Sequence, residues 1–284
     1  MAVHLKSGAR LESLTRIDST SAEAARRIAD GETGPLWISA LEQTAGYGRR
    51  GAPWTHAPGD LAATFIFPSG VQSGGDTGVL AQLSFVAAVA LHAVLERFAP
   101  GAPVALKWPN DVFLGGRKIS GLLLELKETP SGFVVCLGLG VNLANAPSPE
   151  GRQTARLADA MADGGKTPAP QAVLAEFDEA FGVWRSIWAE HGFDPVRSAW
   201  LTSAFGLGER VCFEPAGATA SKDAGVSAKG RATIGGVFAG LDETGALVLE
   251  TDDGVQSYSA GSLYFENVPV DECIPATAVR AHKQ

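Results

Sequence analysis

Apolar and polar positions alternate along this chain in two rhythms, and the first long one is helical. Ser19-Thr20-Ser21 precedes the helix-prone run AEAARRIAD; Thr20 and Glu23 have the spacing of a capping box, and Asp30-Gly31 ends the helix. Leu36 to Leu41 reads as a strand, followed by a Gly-rich loop, and Leu61 to Phe67 reads as a second strand. From Val79 to Phe98, the residues Val79, Leu83, Val86, Ala90 and Val94 recur every three or four positions, which predicts one apolar face of an amphipathic helix. Gln82, Ser84, His92, Glu96 and Arg97 interrupt this stretch, whereas a membrane span is apolar all round. The helix stops at Pro100-Gly101.

Four strands then crowd together: Val104 to Trp108, Asp111 to Leu114, Ile119 to Leu126 and Phe133 to Val141. Pro-Asn, Gly-Gly and Ser-Gly breaks separate them. Crowded strands after a long helix predict an α+β fold, a mixed sheet with helices on one side rather than βαβ alternation. Two or three helices are expected between Gln153 and Leu201. Near Gly206 the character changes to short strands: Val211 to Phe213, Gly236 to Leu241, Ala246 to Glu250 and Val255 to Ser259, with Asp253-Gly254 as a hairpin signal. Ala216 to Gly230, rich in Ala, Gly and Ser, reads as a mobile loop. The expected organisation is a domain over 1–205, a small β-barrel over 206–268 and a tail over 269–284.

Composition narrows the class. The 284 residues, 45% of them apolar, suffice for a sizeable core. The 34 glycines exceed the usual share of about 7%, pointing to tight turns and to backbone that approaches a ligand closely. A net charge of -8 and the lack of a basic tract argue against a nucleic-acid partner. The spacing of Cys136, Cys212 and Cys273 implies neither a disulfide framework nor a zinc site. The opening MAVHLKSGARLE has no apolar core of a signal peptide, so a soluble, cytoplasmic protein without membrane attachment is expected.

Three segments carry candidate chemistry. The hexapeptide Gly46-Tyr47-Gly48-Arg49-Arg50-Gly51 matches GxGxxG, yet Ala52-Pro53-Trp54 and Pro58-Gly59 follow where a dinucleotide-binding helix would have to open. It reads either as a surface hairpin with incidental arginines or as an anion-binding loop that excludes water when it orders. Lys107-Trp108-Pro109-Asn110-Asp111 reads as a turn, but it gathers Lys, Trp, Asn and Asp beside apolar strands. Lys118 begins a very apolar strand, where its ammonium either snorkels or meets an anion. The glycines of Gly138-Leu139-Gly140-Val141-Asn142 either ease packing or clear space for a flat ligand.

In this order, Asp18-Ser19-Thr20-Ser21, Gln43, GYGRRG, Trp54, KWPND, RKISGLLLE and GLGVN, the segments closely resemble the catalytic domain of biotin–protein ligases. The resemblance covers roughly residues 15 to 200, and the barrel matches that family's C-terminal SH3-like domain. It implies a catalytic fold related to class II aminoacyl-tRNA synthetases. It also implies two reactions: biotin and MgATP form biotinyl-5′-AMP, and a lysine of a biotin carboxyl carrier domain then takes the biotinyl group. On this resemblance Ser19, Thr20, Ser21, Gln43, Gly121, Gly138 and Gly140 surround biotin. Gly46, Tyr47, Gly48 and Arg49 close over the acyl-adenylate. Lys118 contacts the carboxylate and α-phosphate; Arg50, Trp54, Lys107, Asn110 and Asn142 bind ATP. Lys118, Arg49 and Asp111 form the catalytic set, with Asp111 orienting or deprotonating the acceptor lysine. The metal ligands stay unassigned, and a monomer or homodimer is expected.

The family's loop commonly reads GRGRRGR, so Tyr47 and Ala52 stand here in place of two basic residues, and Ser21 stands where Asn is frequent. Because the catalytic pattern begins by residue 18, no N-terminal DNA-binding domain is expected. Two other readings compete: a lipoate- or octanoate-transferring enzyme on the same scaffold, whose ring pocket would lack hydrogen bonders, and a non-catalytic adenylate sensor, expected to lose Lys118 or Arg49.

Overall fold

The computed structural model describes residues 3–147, 154–161, 165–216, 225–226 and 232–265. They fall into two units, Met1–Leu106 with Asn110–Val196 and Lys107–Pro109 with Arg197–Gln284.

The larger unit is built on an eight-stranded sheet. Its strands are β1 (Val3–His4), β2 (Arg10–Leu14), β3 (Leu36–Ala40), β4 (Leu61–Pro68), β5 (Val104–Lys107), β6 (Asp111–Leu114), β7 (Arg117–Thr129) and β8 (Gly132–Val141). Their order is β1-β2-β3-β4-β8-β7-β6-β5. β2 and β3 run parallel while β3, β4, β8, β7 and β6 are successively antiparallel, so the sheet is mixed, as expected.

Alternation along the central strands gives the sheet two faces. On one, Ile38, Ile66 and Cys136 form a core cluster with Ala24 and Ile28 of α1 (Thr20–Ala29). On the other, Trp37 stacks on Phe65 at 4.6 Å, and both rings meet α3 (Pro170–His191) through Phe177 and Phe181. Helices therefore cover both faces rather than one side. α2 (Leu83–Phe98) packs on α3, β6 and β7. Gly78–Phe98 is long and apolar enough to cross a membrane, but the larger part of it is buried inside the protein. The expected single apolar stripe is too narrow a description: Phe85, Ala87, Val89, Leu91 and Leu95 are buried along with Leu83, Val86, Ala90 and Val94, because the helix has neighbours on several sides. Val79 is exposed, in a 3₁₀ turn (Gly78–Gln82) ahead of the helix.

Ser19, not Thr20, caps α1: its side chain accepts from the Ala22 N–H at 3.4 Å. Thr20 is held elsewhere, and Glu23 pairs with Arg26 and Arg27 instead of closing a capping box. Asp30 and Gly31 end the helix as expected, Gly31 with a φ of +96°.

The smaller unit begins at Arg197 rather than near Gly206 and includes Lys107–Pro109. α4 (Asp194–Thr202) accounts for the earlier boundary, since Arg197 Nε donates to Leu241 O at 2.7 Å and Trp200 packs edge-on against Phe238. The unit is strand-rich, with β9 (Arg210–Pro215), β10 (Gly225–Val226), β11 (Ala232–Leu241), β12 (Leu247–Thr251), β13 (Gly254–Tyr258) and β14 (Gly261–Phe265). Five of these follow the order β13-β12-β11-β9-β14, and β10 pairs with β11. Thr251 pairs with Gly254, so the hairpin turn is Asp252-Asp253, one residue earlier than expected. Trp108 lies in this core, with its indole N–H donating to Gly245 O and its ring edge-on to Phe213. Cys136 is a buried free thiol. Most of the loop 216–230 and the tail 269–284 lie outside the described residues.

Candidate active site

The open part of the α1 face, beyond the helix N-terminus, is floored by small residues. Gly121 of β7, Gly140 of β8 and Ala62 of β4 are cross-strand neighbours, and in the next row Leu123, Gly138 and Thr64 are neighbours. These six point to one face because they are two residues apart on their strands. The missing side chains of the three glycines bring other groups onto the backbone. A Cβ on Gly140 would lie 2.5 Å from Trp54 Cε2, and one on Gly138 would lie 3.0 Å from Ser21 Oγ. The flat group that the glycines clear space for is thus, in this structure, the indole of Trp54, which also lies over Gly121.

The Ser21 end of the floor carries uncharged polar groups. Thr20 N–H and Oγ1 both reach Gln43 Oε1, at 2.8 and 3.1 Å. Thr64 Oγ1 lies 2.9 Å from Thr20 Oγ1 and 3.1 Å from Ser21 Oγ. Ser19, Thr20, Ser21 and Thr64 are all buried. The Gln43 backbone N–H donates to His56 Nδ1 at 3.3 Å, and His56 Nε2 lies 3.2 Å from Asp60 O, fixing where the loop leaves β3.

The Trp54 end carries charge. Lys118 Nζ forms an ion pair with Asp111 Oδ1 at 2.7 Å and lies 5.6 Å from the Trp54 ring centroid. Asp111 is opposite Gly121 in the β6–β7 ladder, so the pair stands at the rim of the glycine floor. Arg49 Nη1 donates to Asn110 Oδ1 at 3.4 Å, and Asn110 Nδ2 donates to Leu122 O. Burial, and then the like charge of Arg50, lower the Arg49 pKa, with Asp111 opposing them. Arg49 and Asp111 therefore sense one another, and Lys118 shares the same carboxylate.

The loop between the two ends is a short hairpin. Trp54 N–H donates to Gly46 O and Gly48 N–H to Ala52 O, both at 2.8 Å, and Tyr47 bridges Pro53. A single 3₁₀ turn (Arg49–Gly51) forms its tip, with Arg50 at φ 55°. No long helix opens at the GxGxxG match, in keeping with the sequence argument against a dinucleotide site. Tyr47, in the position of a usual basic residue, donates to Glu125 Oε2 on β7 at 3.4 Å. Burial, and then Glu125, raise the Tyr47 pKa, so the phenol stays a donor.

Asn142 is buried and donates its side-chain amide to Ala155 O at 3.0 Å. Lys107 belongs to the smaller unit, its Nζ lying 5.9 Å from the Tyr264 ring centroid. Sequence reasoning missed Thr64, Glu125 and Asp60. Thr64 is the one polar residue in the buried run LAATFIF, and that isolation was the available signal. Asp60 Oδ1 accepts from the backbone N–H groups of Leu143, Ala144 and Asn145 at 2.8 to 3.0 Å, which fixes the segment after β8.

A mixed sheet with a glycine floor, a neutral polar end and a cationic end is suited to a ligand with an uncharged ring and an acidic tail. The family model described as the biotin/lipoate A/B protein ligase family matches residues 14–142, and the biotin protein ligase C-terminal domain matches residues 226–265. The biotin–[acetyl-CoA-carboxylase] ligase of Paracoccus denitrificans is 37% identical over 256 residues, covering 89% of this chain and 99% of that protein. That of Mycobacterium tuberculosis is 29% identical over 264 residues, covering 89% and 88%. Among solved structures, the biotin protein ligase of Aquifex aeolicus in complex with biotin and ATP superposes with a TM-score of 0.70 at 24% identity, covering 89% of this chain and 97% of the other. That likeness speaks to the fold, while the Paracoccus relative speaks to the family. The chain belongs to the biotin–protein ligase family and is a ligase.

Proposed function

We propose that this enzyme activates biotin with ATP as biotinyl-5′-AMP and transfers the biotinyl group to a lysine of a biotin carboxyl carrier domain. The observation that carries this reading is the two-ended floor. Ser21, Thr20 and Gln43, backed by the buried Thr64, present hydrogen-bonding groups at one end, and Lys118, Arg49 and Asp111 present charge at the other. Biotin's ureido ring fits the first end and its carboxylate the second. A lipoyl dithiolane has no hydrogen-bonding atoms to offer, so it would strand those groups without water or partners.

A carboxylate is ionised at neutral pH and needs no base to attack the α-phosphate. It needs positioning against a polyphosphate that repels it. Lys118 and Arg49 supply the positive charge, and the hairpin of Gly46, Tyr47, Gly48 and Arg49 covers the product from water. Trp54, against Gly140, gives the adenosine an aromatic wall; Arg50, Lys107, Asn110 and Asn142 are assigned to ATP on the family's pattern alone. Ser19 caps α1 and so orients Thr20 and Ser21. Among the described residues no three His, Cys, Asp or Glu side chains converge on one point. Mg²⁺ brought in by ATP would need one or two carboxylates besides phosphate oxygens, and Asp111 would be the carboxylate to hold it. In the second step the acceptor amine must be neutral, and we assign to Asp111 the role of orienting it or taking its proton once Lys118 turns to the ligand; the support is its pairing with Lys118.

Biotin-dependent exchange of labelled pyrophosphate into ATP tests the first step. Wild type should exchange with biotin and not with lipoate, and Lys118→Ala should lose about a hundredfold, roughly 3 kcal/mol. Exchange with lipoate alone would overturn the substrate assignment. Asp111→Ala should transfer poorly from preformed biotinyl-AMP to the carrier; normal transfer removes Asp111 from the second step.

A further inference from the structure

The hydroxyl cluster at the neutral end has only one consistent arrangement of protons. The Thr20 backbone N–H can only donate, so the Gln43 atom 2.8 Å away is the amide oxygen, and Nε2 faces the other way. That nitrogen lies 2.9 Å from where a Cβ on Gly46 would stand, at the start of the hairpin. The Thr20 hydroxyl lies 3.1 Å from the same oxygen and must donate to it. With that proton used, Thr20 Oγ1 can only accept from Thr64, at 2.9 Å. The Thr64 proton is then used as well, so Ser21 must be the donor in the 3.1 Å contact with Thr64.

What remains on display is fixed. Ser21 Oγ, above Gly138, has lone pairs and no free proton; Thr20 Oγ1 keeps one lone pair; Gln43 Nε2 keeps its protons. Acceptors beside a donor complement a cyclic urea, which offers two N–H groups and one carbonyl. Thr64 belongs to the floor but is fully buried, with no surface open to a ligand. It is nevertheless the only member that both accepts from Ser21 and donates to Thr20.

We propose that Thr64 is the positioning residue that selects a ureido ring, by holding the Ser21 proton away from the ligand while its own proton occupies one lone pair of Thr20. The proposal rests on the biotin reading above and deepens it. Without the Thr64 hydroxyl, Ser21 loses its acceptor and is free to turn its proton toward the floor, where it opposes a ligand N–H.

The test uses the full-length enzyme, calorimetric titration with biotin and desthiobiotin, and steady-state pyrophosphate exchange. Thr64→Val, close in shape and lacking the hydroxyl, should weaken both ligands by the same factor of about ten or more. The loss should fall on KM for biotin, leaving KM for ATP in place. Thr64→Ser, which keeps the hydroxyl, should return affinity to within about threefold of wild type. If Thr64→Val shows no cooperative melting, Thr64→Ala carries the same expectation. Wild-type affinity in Thr64→Val overturns the proposal and leaves the biotin reading intact. Equal weakening in Thr64→Val and Thr64→Ser overturns it too, since packing rather than the hydroxyl is then at work, and so does a loss confined to biotin. A wild-type enzyme that binds neither ligand overturns the biotin reading and the proposal together.

Discussion

Gly140→Ala is a one-methyl perturbation aimed at the contact between the floor and Trp54. The added Cβ would lie 2.5 Å from Trp54 Cε2, 2.6 Å from Nε1 and 2.7 Å from Cζ2. Carbon atoms settle at about 3.5–4.0 Å, so the ring must retreat by about 1 Å. The ring yields before the strand does, because Trp54 is partly exposed on a hairpin while β8 is a buried central strand. Overpacking of this kind costs roughly 1–3 kcal/mol, equivalent to about five- to 150-fold in binding. Since the displaced group is assigned to the adenosine, KM for ATP should rise by that factor in pyrophosphate exchange, with a smaller effect on KM for biotin. Gly138→Ala is the matched control: its Cβ would lie 3.0 Å from Ser21 Oγ and 3.3 Å from Leu123 Cβ, so its effect should fall on biotin. In a Trp54→Ala background Gly140→Ala should add little, because the clash has gone. Equal effects on both substrates, full additivity with Trp54→Ala, or a KM for ATP within twofold of wild type would each refute the reasoning.

Asp60→Ala leaves the buried or half-buried N–H groups of Leu143, Ala144 and Asn145 without their acceptor. The expected loss is about 3 kcal/mol or more, a fall in Tm of roughly 6–12 °C by calorimetry, and a change under about 2 °C would contradict it. Asp18 is held by Arg26 at 2.8 and 3.0 Å and by the Ser19 N–H, and these bonds depress its pKa to about 2. A depressed carboxylate contributes stability that is fully present above the unfolded value near 3.9 and is lost as pH falls through about 2. The Tm deficit of Asp18→Asn, small because the side chain is half exposed, should therefore be constant from pH 7 to about 5 and vanish between about pH 4 and 2; closure above pH 5 would exclude this linkage.

Elements governed by local chemistry were legible in the sequence. Asp111 to Leu114 is the strand that alternation predicts, and Pro100-Gly101 follows the helix at the expected place. The misreadings have long-range causes. Ser19 rather than Thr20 caps α1 because Thr20 is drawn to Gln43 and Thr64, and no sequence window contains all three. β2 (RLESL) has too few apolar residues to announce itself and exists through its parallel pairing with β3. Thr64 is by type an ordinary β-branched strand residue, and only its contacts with the Thr20 and Ser21 hydroxyls set it apart. KWPND read as one segment, yet Trp108 is buried in the smaller unit while Asn110 and Asp111 belong to the larger one. Glycines signalled a close approach at Gly138 and Gly140 without indicating that Trp54 would be the group to approach.

If the charged end receives biotin's carboxylate as proposed, the resting ion pair explains how it can orient that ligand without binding it too tightly. A half-buried Lys118 with no partner would be costly, so Asp111 neutralises it at 2.7 Å and holds the ammonium beside the floor. When a carboxylate arrives, Lys118 exchanges one anionic partner for another, so little net affinity follows from the charge. The neutral end behaves differently, because its acceptors and donor are displayed with no such counter-ion to release. On the proposed reading, affinity for the ring comes from the hydroxyl cluster, while Lys118 and Arg49 reserve most of their effect for the charge that grows at the α-phosphate during the reaction. On this division, substitutions at Thr20, Ser21 or Thr64 should register in KM for biotin, and Lys118 in kcat. A shared loss in KM alone would mean that the two ends do not divide the work in this way.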